Sequence, residues 1–119
     1  MSRIYSLYLI DIVECCEKIR TYLSGKTFDD FILDNMRVDA VVRNLEIIGE
    51  AVKNLPDEVR EIRPDIEWKK AARFRDIIAH HYLKVDYDLV WSITQNKIEE
   101  MESAAKEMLT VRATMEDLD

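Results

Sequence analysis

The side chains best suited to chemistry in this sequence lie in one short stretch, from Arg75 to Tyr82, which contains both histidines of the chain. Arginine supplies a fixed positive charge, histidine titrates near neutral pH, and tyrosine supplies a phenol. Together these groups are suited to binding a phosphate and moving a proton beside it. The first candidate residues are therefore Arg75, His80 and Tyr82, with Asp76 and His81 as supporting residues.

The spacing within this stretch limits how a single helix could present it. Each helical residue is rotated by about 100° from the one before, so Arg75 and Tyr82 would share a face, as would Asp76 and His80. A carboxylate beside the imidazole would favour its charged form. Arg75 and His80 would diverge by about 140° around a continuous helix. For both to contact one phosphate, the helix must end near His80 or a second subunit must complete the site.

The charge distribution adds a candidate phosphate-binding surface. The net charge of the chain is −7, but the segment from Trp68 to Lys84 carries five basic side chains against one acidic side chain. Ahead of Arg75 these are Lys69, Lys70 and Arg73, and a local basic patch on an acidic protein can bind phosphates. The same charges also fit an ordinary solvated helix face. The acidic remainder excludes a protein that coats nucleic acid indiscriminately.

Metal and cofactor chemistry has little support in the sequence. On a helix the adjacent His80 and His81 would point about 100° apart, and no glutamate stands three residues before either, as a di-iron bundle requires. Cys15 and Cys16 lack a zinc-type spacing, and two isolated glycines cannot form a phosphate-binding loop. A Ser–His–Asp hydrolase stays open, although no nucleophile-elbow motif is present. We predict neither a metal nor a cofactor.

The composition predicts the type of scaffold that positions these residues. The chain has 119 residues, is 48% hydrophobic and 34% charged, and contains only two glycines and two prolines. This composition predicts a single all-α domain over residues 1–119, folded as an up-and-down bundle of four to five helices. No apolar run approaches the roughly 20 residues of a membrane span, and the start lacks the features of a signal peptide. The adjacent Cys15 and Cys16 are expected to be reduced thiols, which favours a cytoplasmic location.

Apolar spacing and turn residues predict where the first two helices lie. A helix from Ile4 to Tyr22 carries one apolar stripe and is stopped by Gly25. Thr27 is placed to cap a short helix that follows, with Asp30 in the reciprocal capping position.

Prolines and one aspartate set the later boundaries. A helix from Val38 to Leu55 ends at Pro56, which can take the first position of the next helix. After Pro64, one helix is predicted from about Ile66 toward His80. Asp86 is placed to cap a long last helix.

Two of these helices carry apolar residues that alternate at spacings of three and four, the pattern of a helix packed along a partner. The first seam is Val38, Val41, Leu45, Ile48, Val52 and Leu55, and the second is Met101, Ala104, Met108, Val111 and Met115. Seams of this regularity predict a homodimer in which one of them faces the second copy; the alternative is that both face the core of their own chain. Gly49, inside the first of these helices, indicates a close helix approach because an internal glycine costs about 1 kcal/mol relative to alanine.

The pattern Arg75-x4-His80-x-Tyr82 resembles the signature of the HEPN superfamily, and specifically of HepT-like toxins. The Gly49-Glu50-Ala51 sequence is similar to the family's second-helix pattern, and Pro64 and Trp68 are similar to its approach to the motif. The resemblance extends over essentially the whole chain in length and helix order.

This resemblance implies a dimeric all-α bundle that acts as a metal-independent endoribonuclease, with arginine and histidine from both copies lining a cleft. Arg75 would bind the scissile phosphate and stabilise its additional negative charge. His80 would be the general base on the 2′-OH or the general acid on the leaving 5′-oxygen. The implied products are a 2′,3′-cyclic phosphate and a 5′-hydroxyl. His81 is an additional histidine beside the motif, and Asp76 stands where the family often has another polar residue.

The resemblance also implies a partner, a small nucleotidyltransferase antitoxin of the MNT type. Such a partner would transfer AMP to Tyr82, which places bulk and negative charge at a site meant for RNA phosphates. A different interpretation makes the chain a non-catalytic helical module that serves as an accessory subunit of a nucleotidyltransferase. A purely structural bundle is a third interpretation, but it leaves the polar motif unexplained.

Overall fold

The computed structural model describes residues 3–78 and 85–118, and the side chains of residues 5–78 and 85–111 within them. These residues form helices and contain no strand, which confirms the all-α prediction. The helices are α1 (Arg3–Leu23), α2 (Phe28–Ile32), α3 (Asn35–Lys53), α4 (Asp57–Arg60), α5 (Trp68–Ala72), α6 (Phe74–Ile78), α7 (Tyr87–Asn96) and α8 (Ile98–Leu118). None of the described helices is both long enough and apolar enough to span a membrane.

Helix α1 lies at the centre of the bundle, packed along α3 on one side and α8 on the other. Helix α7 packs against α8, while α2, α5 and α6 pack against α3. The candidate residues on α5 and α6 are therefore positioned by α3.

The local signals in the first half of the sequence act as predicted. Gly25 has a φ of 71° and follows the end of α1. The Thr27 hydroxyl accepts a hydrogen bond from the Asp30 backbone N–H at 3.1 Å, and the Asp30 carboxylate accepts one from the Thr27 N–H at 2.9 Å. Pro56 was expected to be the first residue of the next helix. In the structure it is the cap residue that precedes α4.

Two predicted helices are each divided in the structure. The helix expected from Ile66 toward His80 is divided at Arg73, where φ is −104° and ψ is 14°, into α5 and α6. The long helix expected after Asp86 is divided at Lys97 into α7 and α8, although Asp86 caps α7 as predicted. The turn at Arg73 preserves the apolar period, because Trp68, Ala71, Phe74 and Ile78 are all buried. The period therefore could not reveal this turn.

The first seam and the buried part of the second face the core of a single chain, so the prediction that one seam faces a second copy is wrong for the first seam. All six residues of the first seam are buried, and none is more than 3% exposed. Met101, Ala104 and Met108 of the α8 seam are buried as well. Both helices pack along α1, and α1 takes the place that the prediction gave to the second copy.

Gly49 marks the close approach that its position predicted. A Cβ atom at Gly49 would lie 3.1 Å from the carbonyl oxygen of Ala71, 3.6 Å from that of Ala72 and 3.7 Å from the Cβ of Phe74. Because Gly49 has no side chain, the turn between α5 and α6 can pack directly against α3. Arg75, the residue after Phe74, takes its position from this contact.

One buried charged group joins the first and last helices. Glu102 of α8 is 5% exposed and accepts hydrogen bonds from Arg20 Nε at 2.6 Å and Arg20 Nη2 at 2.8 Å. Lys106 Nζ lies 2.9 Å from the same carboxylate. Burial raises the pKa of Glu102, but the hydrogen bonds from Arg20 and Lys106 outweigh it and hold that pKa below its ordinary value.

Candidate functional site

The structure describes only part of the predicted motif. Arg75 and Asp76 lie on α6 and are exposed to solvent. His80, His81 and Tyr82 lie outside the described residues, and so do the predicted Asp76–His80 pair and the relation of Arg75 to His80. The described part of the site consists of Arg75 and the residues that surround it.

Arg75 lines a groove between α1 and α3 that has a volume of about 270 Å³. Tyr8 and Asp11 line this α1–α3 groove from α1, and Ile47 and Ala51 of α3 supply apolar surface. Within the described part of the chain the Arg75 guanidinium makes no ion pair and no hydrogen bond. No described residue therefore occupies its hydrogen-bond donors.

Arg43 is a functional candidate that the sequence analysis missed. It lies on α3, is exposed, and lines the same groove as Arg75. Arg43 likewise has no ion pair or hydrogen bond with a described residue. A signal was present in the sequence, because Arg43, Glu50 and Asn54 each follow a residue of the seam by two positions. Two residues correspond to about 200° of rotation, so these polar side chains lie roughly opposite the buried face.

The α1–α3 groove is not uniformly basic. Three carboxylates, those of Asp11, Glu46 and Glu50, line it together with the two arginines. Glu50 lies 3.8 Å from Lys53, whereas Glu46 is half-buried and has no ion pair among the described side chains. A groove with this composition can offer both hydrogen-bond donors and acceptors to one ligand.

The predicted basic patch forms a different surface. Lys69, Lys70 and Arg73 line a second groove, with a volume of about 650 Å³, together with Arg60 and other residues of the α4–α5 region. The two grooves share no lining residue among those described. The basic segment predicted as one patch is thus divided between two grooves, and Arg75 is separated from the three cations that precede it.

The neighbourhood of the basic patch leaves its cations available. Glu67, the acidic residue beside Lys69 and Lys70, is engaged by Lys97 Nζ at 2.9 Å, and this hydrogen bond lowers the pKa of Glu67. Arg60 donates from Nη2 to the Val52 carbonyl at 2.7 Å, so it is bound to the end of α3. Lys69, Lys70 and Arg73 form no ion pair with the described residues.

The cysteines do not supply a nucleophile. Cys15 and Cys16 are free thiols buried between the helices. Burial raises the pKa of Cys15 to about 11 and that of Cys16 to about 12. Both therefore stay protonated at neutral pH, where a nucleophile would have to be a thiolate. In residues 5–78 and 85–111, no three histidine, cysteine, aspartate or glutamate side chains are grouped as metal ligands.

Comparison with known proteins identifies the family. Residues 12–108 match the family described as Ribonuclease HepT-like. A protein from Caldanaerobacter subterraneus subsp. tengcongensis, named "Putative RNase TTE0752", is 43% identical over 86% of this chain and 91% of its own length. "Probable ribonuclease HepT" from Thermococcus cleftensis is 40% identical over 82% of this chain and 89% of its own length. No solved structure gave a match.

A third relative shows that the similarity also occurs within a longer protein. "Gamma-glutamylcyclotransferase and putative RNase MJ0434" from Methanocaldococcus jannaschii is 41% identical over 100% of this chain, which corresponds to 51% of that protein. The family match covers most of the chain, including α3, the α5–α6 turn and the motif that begins at Arg75. The chain therefore belongs to the family of HepT-like ribonucleases, and the endoribonuclease activity predicted from its sequence follows from that membership.

Proposed function

We propose that the chain is the toxin of a toxin–antitoxin pair, a metal-independent endoribonuclease that cleaves RNA by attack of the 2′-OH on the adjacent phosphate. The observation that carries the proposal is Arg75, an exposed cation without an ion pair to any described residue, which lines the α1–α3 groove and follows the α5–α6 turn that packs on Gly49 of α3. An unpaired guanidinium matches a phosphate and can bind two of its oxygens at once.

The proposed reaction needs one fixed cation and proton transfer at two oxygens. A general base removes the proton of the 2′-OH, the 2′-oxygen bonds to phosphorus, and the bond to the 5′-oxygen breaks as that oxygen receives a proton. Arg75 stabilises the additional negative charge on the phosphate. His80 serves as the base or the acid, with His81 as its neighbour in sequence. The products are a 2′,3′-cyclic phosphate and a 5′-hydroxyl, and no step requires a metal ion.

A second copy of the chain would complete the cleft. The first seam no longer supports a dimer, since it is buried within one chain, as are Met101, Ala104 and Met108 of the second. The support that remains is the family resemblance together with exposed apolar side chains on α1, next to the groove: Leu7 is 58% exposed and Ile10 is 38% exposed. Apolar side chains at such a position would be buried by a partner, and burial of that kind drives most protein association.

The second groove would bind the RNA strand outside the cleavage site. Lys69, Lys70 and Arg73 are exposed, close in sequence and without an ion pair to the described part of the chain. Contacts of this type position a nucleic acid without reading its sequence, and they weaken as salt concentration rises.

The activity would be switched off by a nucleotidyltransferase of the MNT type that transfers AMP from ATP to the Tyr82 hydroxyl, with pyrophosphate as leaving group. The adduct adds bulk and negative charge beside the phosphate-binding arginine. Co-expression with such an enzyme should add the mass of one adenylyl group (AMP less one water) per chain, located at Tyr82 by peptide mass spectrometry. An inhibited complex that carries no adduct would contradict this part of the proposal.

RNA cleavage by the purified protein tests the central proposal. Wild-type protein should cleave RNA in the presence of EDTA and leave 2′,3′-cyclic phosphate ends. Arg75→Ala and His80→Ala should each abolish cleavage while the helical circular dichroism spectrum is retained, and His81→Ala shows which imidazole acts. Lys18→Ala is the matched control, because Lys18 is an exposed cation of α1 that has no ion pair with a described residue and lines neither groove.

The same assay distinguishes the non-catalytic alternative. An accessory subunit of a nucleotidyltransferase would bind its partner equally well with or without Arg75 and would leave RNA intact in every variant. Full cleavage by Arg75→Ala would contradict the assigned role of this residue.

A further inference from the structure

The α1–α3 groove has features that binding a scissile phosphate at Arg75 does not explain. It extends along α3 from the level of Asn54 to that of Arg43, and eleven residues of helix correspond to about 16 Å. A phosphate ligand needs only a small part of that length. The rest of the groove contains Tyr8, Glu46 and apolar surface from Ile47.

The mixed charges of the groove indicate a ligand that carries hydrogen-bond donors as well as a negative charge. Two arginines face three carboxylates, so the groove as a whole carries no excess of positive charge. A site built only for phosphates would exclude carboxylates, since like charges repel. Glu46 is half-buried there without an ion pair in the described part of the chain, and a carboxylate in this situation accepts hydrogen bonds from a ligand that brings N–H donors.

Tyr8 supplies the aromatic ring on which the base of a nucleotide can stack. Its ring is half-buried in the groove wall and stacks on no other aromatic ring among the described residues. Sequence-specific RNA recognition commonly stacks an unpaired base on such a ring and reads the base edge by hydrogen bonds. The groove volume of about 270 Å³ lies just below the range of about 300–1,000 Å³ typical of drug-sized ligands, which suits one nucleoside.

We propose that the α1–α3 groove is a base-binding subsite that takes one unpaired nucleotide beside the scissile phosphate. The base lies against the ring of Tyr8, its N–H donors face the carboxylate of Glu46, and Arg43 contacts the next phosphate of the strand. Guanine is the preferred base, because its Watson–Crick edge places two donors side by side, matching the two oxygens of a carboxylate. This inference rests on the proposed function, since it takes Arg75 as the ligand of the scissile phosphate.

The cleavage pattern on a single-stranded RNA of random sequence tests this proposal. Sequencing of the cut ends should show that wild-type protein favours guanine at one position flanking the cut. Glu46→Gln replaces one acceptor oxygen by an NH2 group that opposes the guanine donors, so the ratio of guanine to other bases at that position should fall at least severalfold. Tyr8→Ala should weaken RNA binding about tenfold through loss of stacking, and Tyr8→Phe, which retains the ring, should recover most of it.

A measurement on the unmodified protein keeps the test independent of cleavage. Guanosine 3′-monophosphate should shift the backbone amide signals of the groove residues of α3 in an NMR titration, and uridine 3′-monophosphate should shift them less at equal concentration. Equal shifts, or none, would overturn the base subsite, as would a cleavage pattern without base preference or one that Glu46→Gln leaves unaltered. Guanosine-specific shifts from a protein that cleaves no RNA would overturn the proposed function and leave the nucleotide site standing.

Discussion

A methyl group at Gly49 tests how tightly α3 holds Arg75, the proposed phosphate ligand. Gly49→Ala would place the new Cβ 3.1 Å from the Ala71 carbonyl oxygen, which is backbone and cannot rotate away, and 3.7 Å from the Cβ of Phe74. The α5–α6 turn would have to retreat by a few tenths of an ångström. Arg75 follows Phe74 directly and would be displaced with it.

Two opposing free-energy contributions determine how Gly49→Ala affects stability. Alanine is favoured over glycine inside a helix by about 1 kcal/mol, whereas overpacking a close contact costs about 1–3 kcal/mol. The clash is small, so the low end of that range applies and the free energy of unfolding should change by less than about 1 kcal/mol. Activity is more sensitive, because a misplacement of about 1 Å can lower a rate 10²-fold. We expect Gly49→Ala to lower RNA cleavage severalfold with little loss of stability.

Urea unfolding followed by circular dichroism and RNA cleavage rates would measure the two effects separately. Gly25→Ala is the matched control, since Gly25 has a φ of +71° and a Cβ added there would meet no atom within 4 Å, so its substitution strains the backbone without touching the groove. It should cost about 1 kcal/mol of stability and leave cleavage intact. A Gly49→Ala protein that is stabilised by about 1 kcal/mol and fully active would refute the argument, because it would show that α3 and the α5–α6 turn are not in tight contact.

Three further predictions concern the scaffold. Glu102→Gln should lower the free energy of unfolding by about 1–2 kcal/mol at pH 7, because it weakens the charge-assisted contacts of Arg20 and Lys106 with a buried group. The folded-state pKa of Glu102 is below its ordinary value of 4.5, so the difference from wild type should be complete above that pH and disappear as pH falls through the folded-state pKa. Cys15 and Cys16 should resist iodoacetamide at pH 8 until urea unfolds the chain, as followed by intact mass. Thr27→Ala should cost about 1 kcal/mol in urea unfolding through loss of the capping box.

Sequence reasoning was most successful where a few neighbouring residues decide the conformation. The end of α1 just before Gly25 and the reciprocal capping by Thr27 and Asp30 depend on interactions within four residues, and both were predicted correctly. The predictions failed at Arg73 and at Lys97, each of which divides one predicted helix into two. Residues on both sides of Arg73 remain buried with helical spacing, so no change in pattern marks the turn.

The apolar seams show what a period leaves undecided. The seam from Val38 to Leu55 indicated correctly that α3 packs along a partner helix. The spacing of apolar residues along a helix gives the width and direction of its apolar face. It does not identify the helix that covers this face. In the structure the covering helix is α1 of the same chain, which removes this seam as a reason for a dimer.

The sequence by itself determined the all-α class, the family and the choice of Arg75 as a candidate phosphate ligand, because residue type, spacing and motif are properties of the chain. Only the tertiary structure decided which side chains share a groove. Packing of α3 between α1 and the α5–α6 turn places Arg75 with Arg43, more than thirty residues away in sequence, and separates it from Lys69, Lys70 and Arg73, its near neighbours. Proximity in a bundle is set by which helices pack together, and that packing depends on long-range contacts such as the one at Gly49.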